Sequence, residues 1–92
     1  MRIALSERFQ RDVRDLDPQA RATVFQALLA LPVALGDPHT HAGLGIRKLH
    51  RSGIWEARVG LGLRLVFGLE PSVLILVRVG SHEDVRRILR EL

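Results

Sequence analysis

From Ile54 onward the apolar residues of this chain recur at every second position, and that period limits what its C-terminal half can form. In IWEARVG, Trp55, Ala57 and Val59 alternate with Glu56 and Arg58; in LRLVFGL, Leu63, Leu65, Phe67 and Leu69 alternate with Arg64, Val66 and Gly68. Successive side chains of a strand point to opposite faces, so both segments read as strands that bury their odd-numbered residues. Two antiparallel strands can share such a face only if opposed residue numbers sum to an even value, which requires a loop of odd length. Gly60, Leu61 and Gly62 supply three residues, with glycine where positive φ is needed, and Arg58 then lies opposite Arg64. Glu70, Pro71 and Ser72 read as a second three-residue loop. That loop pairs Leu69 with Val73, sends Val73, Ile75, Val77 and Val79 to the core and sets Arg78 opposite Arg64. The expectation is a meander with Arg58, Arg64 and Arg78 in one row. Like charges directly opposed cost from a few tenths to about 1 kcal/mol per pair. The row therefore calls for a counter-charge: Glu56 on the same face, an acidic peptide or a phosphate backbone. The plainer alternative is a solvated face with its arginines reaching outward.

The N-terminal half has a different period. Met1 to Leu5 reads as an edge strand. Ser6 caps a helix with Phe9, Val13 and Leu16 along one side, and Asp17 followed by Pro18 opens a second helix with Val24, Phe25, Leu28 and Leu31 along one side. Pro32 ends or kinks it, and VALGDPHTHAGLG reads as a loop. RKLHR continues that loop. HEDVRRILREL reads as a terminal amphipathic helix burying Val85, Ile88, Leu89 and Leu92, with Ser81 or His82 at its cap.

Ninety-two residues with 47% hydrophobic and 26% charged side chains is material for one globular domain, 1–92. The absence of cysteine excludes disulfides and thiolate metal sites. The longest apolar stretch, ALLALPVAL, is too short to span a bilayer and the first residues lack the apolar core of a signal peptide, so a cytoplasmic protein without membrane contacts is expected. Residues 1–45 carry five arginines against five acids, whereas residues 46–92 carry nine basic side chains against five acids, so the whole excess of +4 lies in the second half. An anionic partner for that half is the implication.

The order GIRKLHRSGIWEARVGLGLRLVFGLEPSVLILVRVGSHEDV, after a strand and a helical hairpin, resembles the toxins of the RelE/ParE superfamily, the RelE-like branch in particular, which are partners in bacterial type II toxin–antitoxin pairs. The resemblance implies an α+β fold, β-α-α-β-β-β-α, in which the N-terminal strand and helical hairpin pack on a small antiparallel sheet with a concave basic outer face. It implies a toxin bound by a cognate antitoxin in a hetero-oligomer, and an endoribonuclease that cuts mRNA on the ribosome and so inhibits translation. In the ParE-like branch the same scaffold inhibits DNA gyrase instead; a degenerate member would bind only its antitoxin. Arg64 stands where the nucleases keep an arginine for the scissile phosphate, His82 where members carry an arginine or histidine acting at the leaving oxygen, and Lys48 at a basic position ahead of the second strand. The chain has no tyrosine, and Leu63 stands where an aromatic residue commonly precedes the arginine.

The residues fit that chemistry on their own terms. Attack of a ribose 2′-OH on the adjacent phosphorus needs a base, an acid for the departing 5′ oxygen and cations for the phosphorane charge; it needs no metal or other cofactor. His82 is the side chain type that titrates near neutrality. Arg64 and Arg58 offer bidentate phosphate contacts, with Arg78 adding charge. Glu56 is a possible base, or the ion-pair partner of Arg58 or Arg64. Lys48, His50 and Arg51 would track an RNA backbone, or simply be a solvated loop. His39 and His41 make a weak metal-binding pair without a third ligand, and Trp55 reads as core.

Overall fold

The computed structural model describes residues 2–35, 45–50, 53–60 and 62–91. In chain order they form β1 (Arg2–Leu5), α1 (Glu7–Asp15), α2 (Pro18–Leu35), β2 (Arg47–His50), β3 (Ile54–Val59), β4 (Leu63–Glu70), β5 (Val73–Gly80) and α3 (His82–Arg90). The strands make one sheet in the order β1-β5-β4-β3-β2. The expected α+β class holds, with two corrections. RKLH, read as loop, is an edge strand antiparallel to β3; four residues are too few for a period to show, and pairing with β3 is what makes them a strand. β1 runs parallel to β5, where an antiparallel sheet was expected. Strand direction leaves no mark on a four-residue pattern.

The helical hairpin forms as its caps dictate. The Ser6 hydroxyl accepts the Phe9 N–H at 3.0 Å, and the Asp17 carboxylate accepts the Ala20 N–H at 2.8 Å. Between the helices, Arg21 donates to the Val13 and Leu16 carbonyls, placing a cation at the C-terminal end of α1. Phe9 and Val13 of α1 and Val24, Leu28 and Leu31 of α2 close over Ala57, Val59, Leu65, Phe67, Leu74, Leu76 and Val79 of the sheet to make the core. Phe25, expected in that stripe, is 46% exposed. It lies one position round the helix from Val24 and lines a shallow groove with Leu5, Phe9 and Val13. Leu29 and Val33, 76% and 71% exposed, continue that outer face. Pro32 sits inside α2, which runs on to Leu35.

The β3–β4 register is the expected one: Arg58 opposes Arg64 and Trp55 opposes Phe67. The β4–β5 register is not. Pro71 and Ser72 make a two-residue turn in which Ser72 takes φ 68° and its carbonyl accepts the Arg2 N–H, so Glu70 pairs with Val73, Leu69 with Leu74 and Phe67 with Leu76. Leu74 and Leu76 consequently fill the core in place of Val73 and Ile75. Continued without interruption, this register would set Arg78 against Leu65, a fully buried position. A bulge intervenes: β5 takes up Val77 as an extra residue, after which Arg78 opposes Val66, Val79 opposes Leu65 and Gly80 opposes Arg64. Arg78 therefore keeps the face expected for it but stands two residues from the expected position. The three-arginine row fails, and only the Arg58–Arg64 pair of it survives.

Candidate nucleic-acid interface

Opposed residues of a sheet share a face, so Arg47 with Glu56 and Arg58 with Arg64 point away from the helical hairpin. There Gly45, Arg47, Glu56, Arg58 and Arg64 line an open basin of about 290 Å³. Glu56 is its floor, only 2% exposed, and its carboxylate accepts from Arg47 Nε at 2.6 Å. Three guanidinium groups thus share a basin with one carboxylate, and that carboxylate is already bonded to Arg47 of the edge strand β2. Gly45 forms the wall beside Arg58. Its φ of 60° suits glycine, and a Cβ there would stand 2.5 Å from Arg58 Nε. The missing side chain is what lets the guanidinium lie against the backbone.

α3 enters on the same side of the sheet. Gly80 shares the face of Arg64, and a Cβ at Gly80 would meet Asp84 at 2.9 Å, so the first turn of α3 lies directly over the end of β5. Ser81 caps it: its hydroxyl accepts the Asp84 N–H at 3.1 Å while the Asp84 carboxylate accepts the Ser81 N–H at 3.0 Å, a reciprocal capping box. His82 is the first helical residue and is exposed, two residues beyond the one that opposes Arg64. The Ser81 backbone N–H, then the Ser81 hydroxyl and Arg87, hold the Asp84 carboxyl below its ordinary range. A carboxylate whose folded value is depressed stabilises the fold above its unfolded value, near 3.9, and the contribution is lost as pH falls through the folded value. As pH falls below about 4, urea midpoints of the wild-type chain should drop more steeply than those of Asp84→Asn; parallel curves would show that the cap contributes nothing.

No protein-family model matches this sequence, and no curated protein matches it by sequence. Solved structures do. YafQ from E. coli strain BL21(DE3) superposes with a TM-score of 0.67 at 24% identity, covering 92% of this chain and 98% of that one. A copper-bound mutant toxin from Helicobacter pylori gives 0.66 at 21% identity over 92% and 98%, and the archaeal RelE–RelB complex from Pyrococcus horikoshii gives 0.66 at 13% identity over 87% and 92%. The chain has the RelE/YafQ toxin fold.

On that fold the residues singled out from sequence are not all brought together. Arg58 and Arg64 stand in the basin with Glu56, and the partner of Glu56 is Arg47 where Arg58 or Arg64 had been expected. Arg47 is the residue that sequence reading passed over. Its neighbour Lys48 opposes Trp55 and so takes the other face of β2, exposed at the sheet edge. The signal lay in the parity of β2, which only its pairing with β3 reveals. Arg78 is committed elsewhere: Nε and Nη2 donate to Asp12 of α1 at 2.7 and 3.2 Å, and the bond to Asp12 holds the guanidinium still more firmly protonated. Arg51, His39 and His41 lie outside the described residues. Among the described residues no group of three or more His, Asp or Glu is placed to hold a metal ion, and no helix is long and apolar enough to cross a membrane.

Proposed function

We propose that this chain is the toxin half of a toxin–antitoxin pair and that it cuts mRNA, in the cytoplasm and on the ribosome, through the basin on the outer face of its sheet. What supports this reading is the directly opposed pair Arg58 and Arg64, with the exposed His82 opening α3 two residues beyond Gly80, the residue that opposes Arg64. Two opposed cations are unfavourable until an anion lies between them, and a phosphodiester meets that requirement with paired oxygens. Arg64 and Arg58 would hold the phosphate and spread the charge that develops on it. His82 would give its proton to the departing 5′ oxygen while the proton of the attacking 2′-OH passes to solvent water. Glu56, buried and bonded to Arg47, serves as the fixed counter-charge that keeps the basin folded before substrate arrives, in preference to acting as the base. Arg47, exposed on the edge strand beside the basin, would meet the flanking backbone, whereas Lys48 on the other face of β2 would not.

Several of the solved structures with this fold are complexes, among them E. coli DinJ–YafQ and RelB–RelE from Methanococcus jannaschii. By the same electrostatics, a cognate antitoxin would silence this chain by laying an acidic segment across the basin. Tightly controlled expression tests the reading. Growth arrest with new mRNA ends and unchanged plasmid supercoiling is expected. Intact mRNA with altered supercoiling would instead assign the chain to gyrase inhibition, and growth without either effect would leave a fold that only binds its partner.

A further inference from the structure

The end of β5 is held from an unexpected direction. β1 pairs with β5 only as far as Leu5 with Leu76, which leaves the edge of Val77, Arg78 and Val79 without a neighbouring strand. Two side chains of the helical hairpin replace it. The Ser6 hydroxyl donates to the Val77 carbonyl at 2.8 Å, and Asp12 Oδ2 accepts the Val79 N–H at 3.0 Å while the same carboxylate takes both donors of Arg78. Asp12 thus binds the strand on either side of the step that follows the bulge, through backbone and side chain at once.

That step decides what faces Arg64. In the register set by the Pro71–Ser72 turn, Arg64 would oppose Val79; the extra residue makes it Gly80, over which Asp84 and the capping box then close. We propose that Asp12 is a positioning residue of the basin: by fixing Arg78 and Val79 it holds the bulged register, and so sets where Gly80, Ser81 and His82 stand relative to Arg64. The catalytic consequence rests on the RNA-cleaving reading of Arg64 and His82; the structural half does not. Asp12 lies on α1, remote in sequence from the basin, and its side-chain hydrogen bonds among the described residues go to Arg78 and Val79, neither of which lines it.

The test is Asp12→Asn, which keeps the size of the side chain and removes its charge, read by amide resonances and by RNA cleavage together. The amides of Val77 to Glu83 are expected to shift and to lose exchange protection, while those of Glu56 and Arg58 stay in place. A displaced acid costs rate more than binding, so cleavage should fall by about 100-fold, with affinity for a 2′-deoxy, uncleavable strand held within about twofold. In a His82→Ala background the same substitution should change cleavage no further. Equal losses in binding and cleavage, or an undiminished effect without His82, would reduce Asp12 to a prop of the fold and overturn the proposal. Unmoved resonances from Val77 to Glu83 would overturn it whatever the activity. Should the wild-type chain cut no RNA, the RNA reading falls, and the resonances alone decide whether Asp12 sets the strand end.

Discussion

Arg64→Ala is expected to lower RNA cleavage by about 100- to 1,000-fold, the range for removing one donor aimed at a developing negative charge. The guanidinium stands on the central strand β4, opposite Arg58 in the ladder, so its position is set by the most constrained part of the sheet. Stability should move the other way or stay still. Removing one member of a directly opposed pair of like charges relieves a repulsion of a few tenths of a kcal/mol, and Arg64 makes no ion pair among the described residues that would be lost. Thermal unfolding measured beside cleavage separates the two effects: the variant should melt at or slightly above the wild-type temperature. The dependence of RNA affinity on log salt should also flatten by about one phosphate contact. A variant that keeps its cleavage rate, or that loses it only by unfolding, would remove Arg64 from the site.

Phe67→Ala is expected to cost about 3–5 kcal/mol, against a total of roughly 5–14 kcal/mol for a chain of this length. Phe67 is fully buried on β4, flanked in the ladder by Trp55 and Leu76, and is the last residue paired before the bulge. The helices above it and the strands on both sides cannot all close on the space left by the ring, so a cavity term adds to the lost transfer energy. A fall in melting temperature of about 15–30 °C would follow for a domain this small. Leu29→Ala is the internal comparison: at 76% exposure, truncation of an apolar side chain should matter by less than about 0.5 kcal/mol. Similar melting temperatures for the two variants would contradict the placement of the core.

These residues also show how far the fold could be read without coordinates. Phe67, Arg58 and Arg64 were placed correctly because alternation fixes faces, and two glycines flanking a single residue fix a loop of three. The β4–β5 turn was misread because Ser72 accepts a left-handed φ that its side chain disfavours. A two-residue turn and a one-residue bulge together restore the parity of a three-residue loop, so Val79 was placed in the core for the wrong reason and Leu74 and Leu76 were missed. Arg78 was correctly kept out of the core. Its partner was not legible, since Asp12 lies 66 residues away and on a helix whose docking only the assembled sheet defines. For Arg47 the limit was length: β2 gains its parity from β3, not from its own four residues.

The parallel pairing of β1 with β5 has a consequence for the order in which the molecule comes into being. The first strand emerges from the ribosome long before β5, with which it pairs: Ser6 and Val77, which meet beside that pairing, are 71 residues apart. Closing so long a loop carries an entropic cost, so the β3–β4–β5 meander is expected to assemble first and receive β1 and α1 afterwards. Ser6 and Asp12 are made early, but the bulge they hold exists only once β5 has been synthesised, so the basin and the first turn of α3 gain a fixed relation late. The outer face of the sheet is therefore complete only after β5 and α3 have both been made.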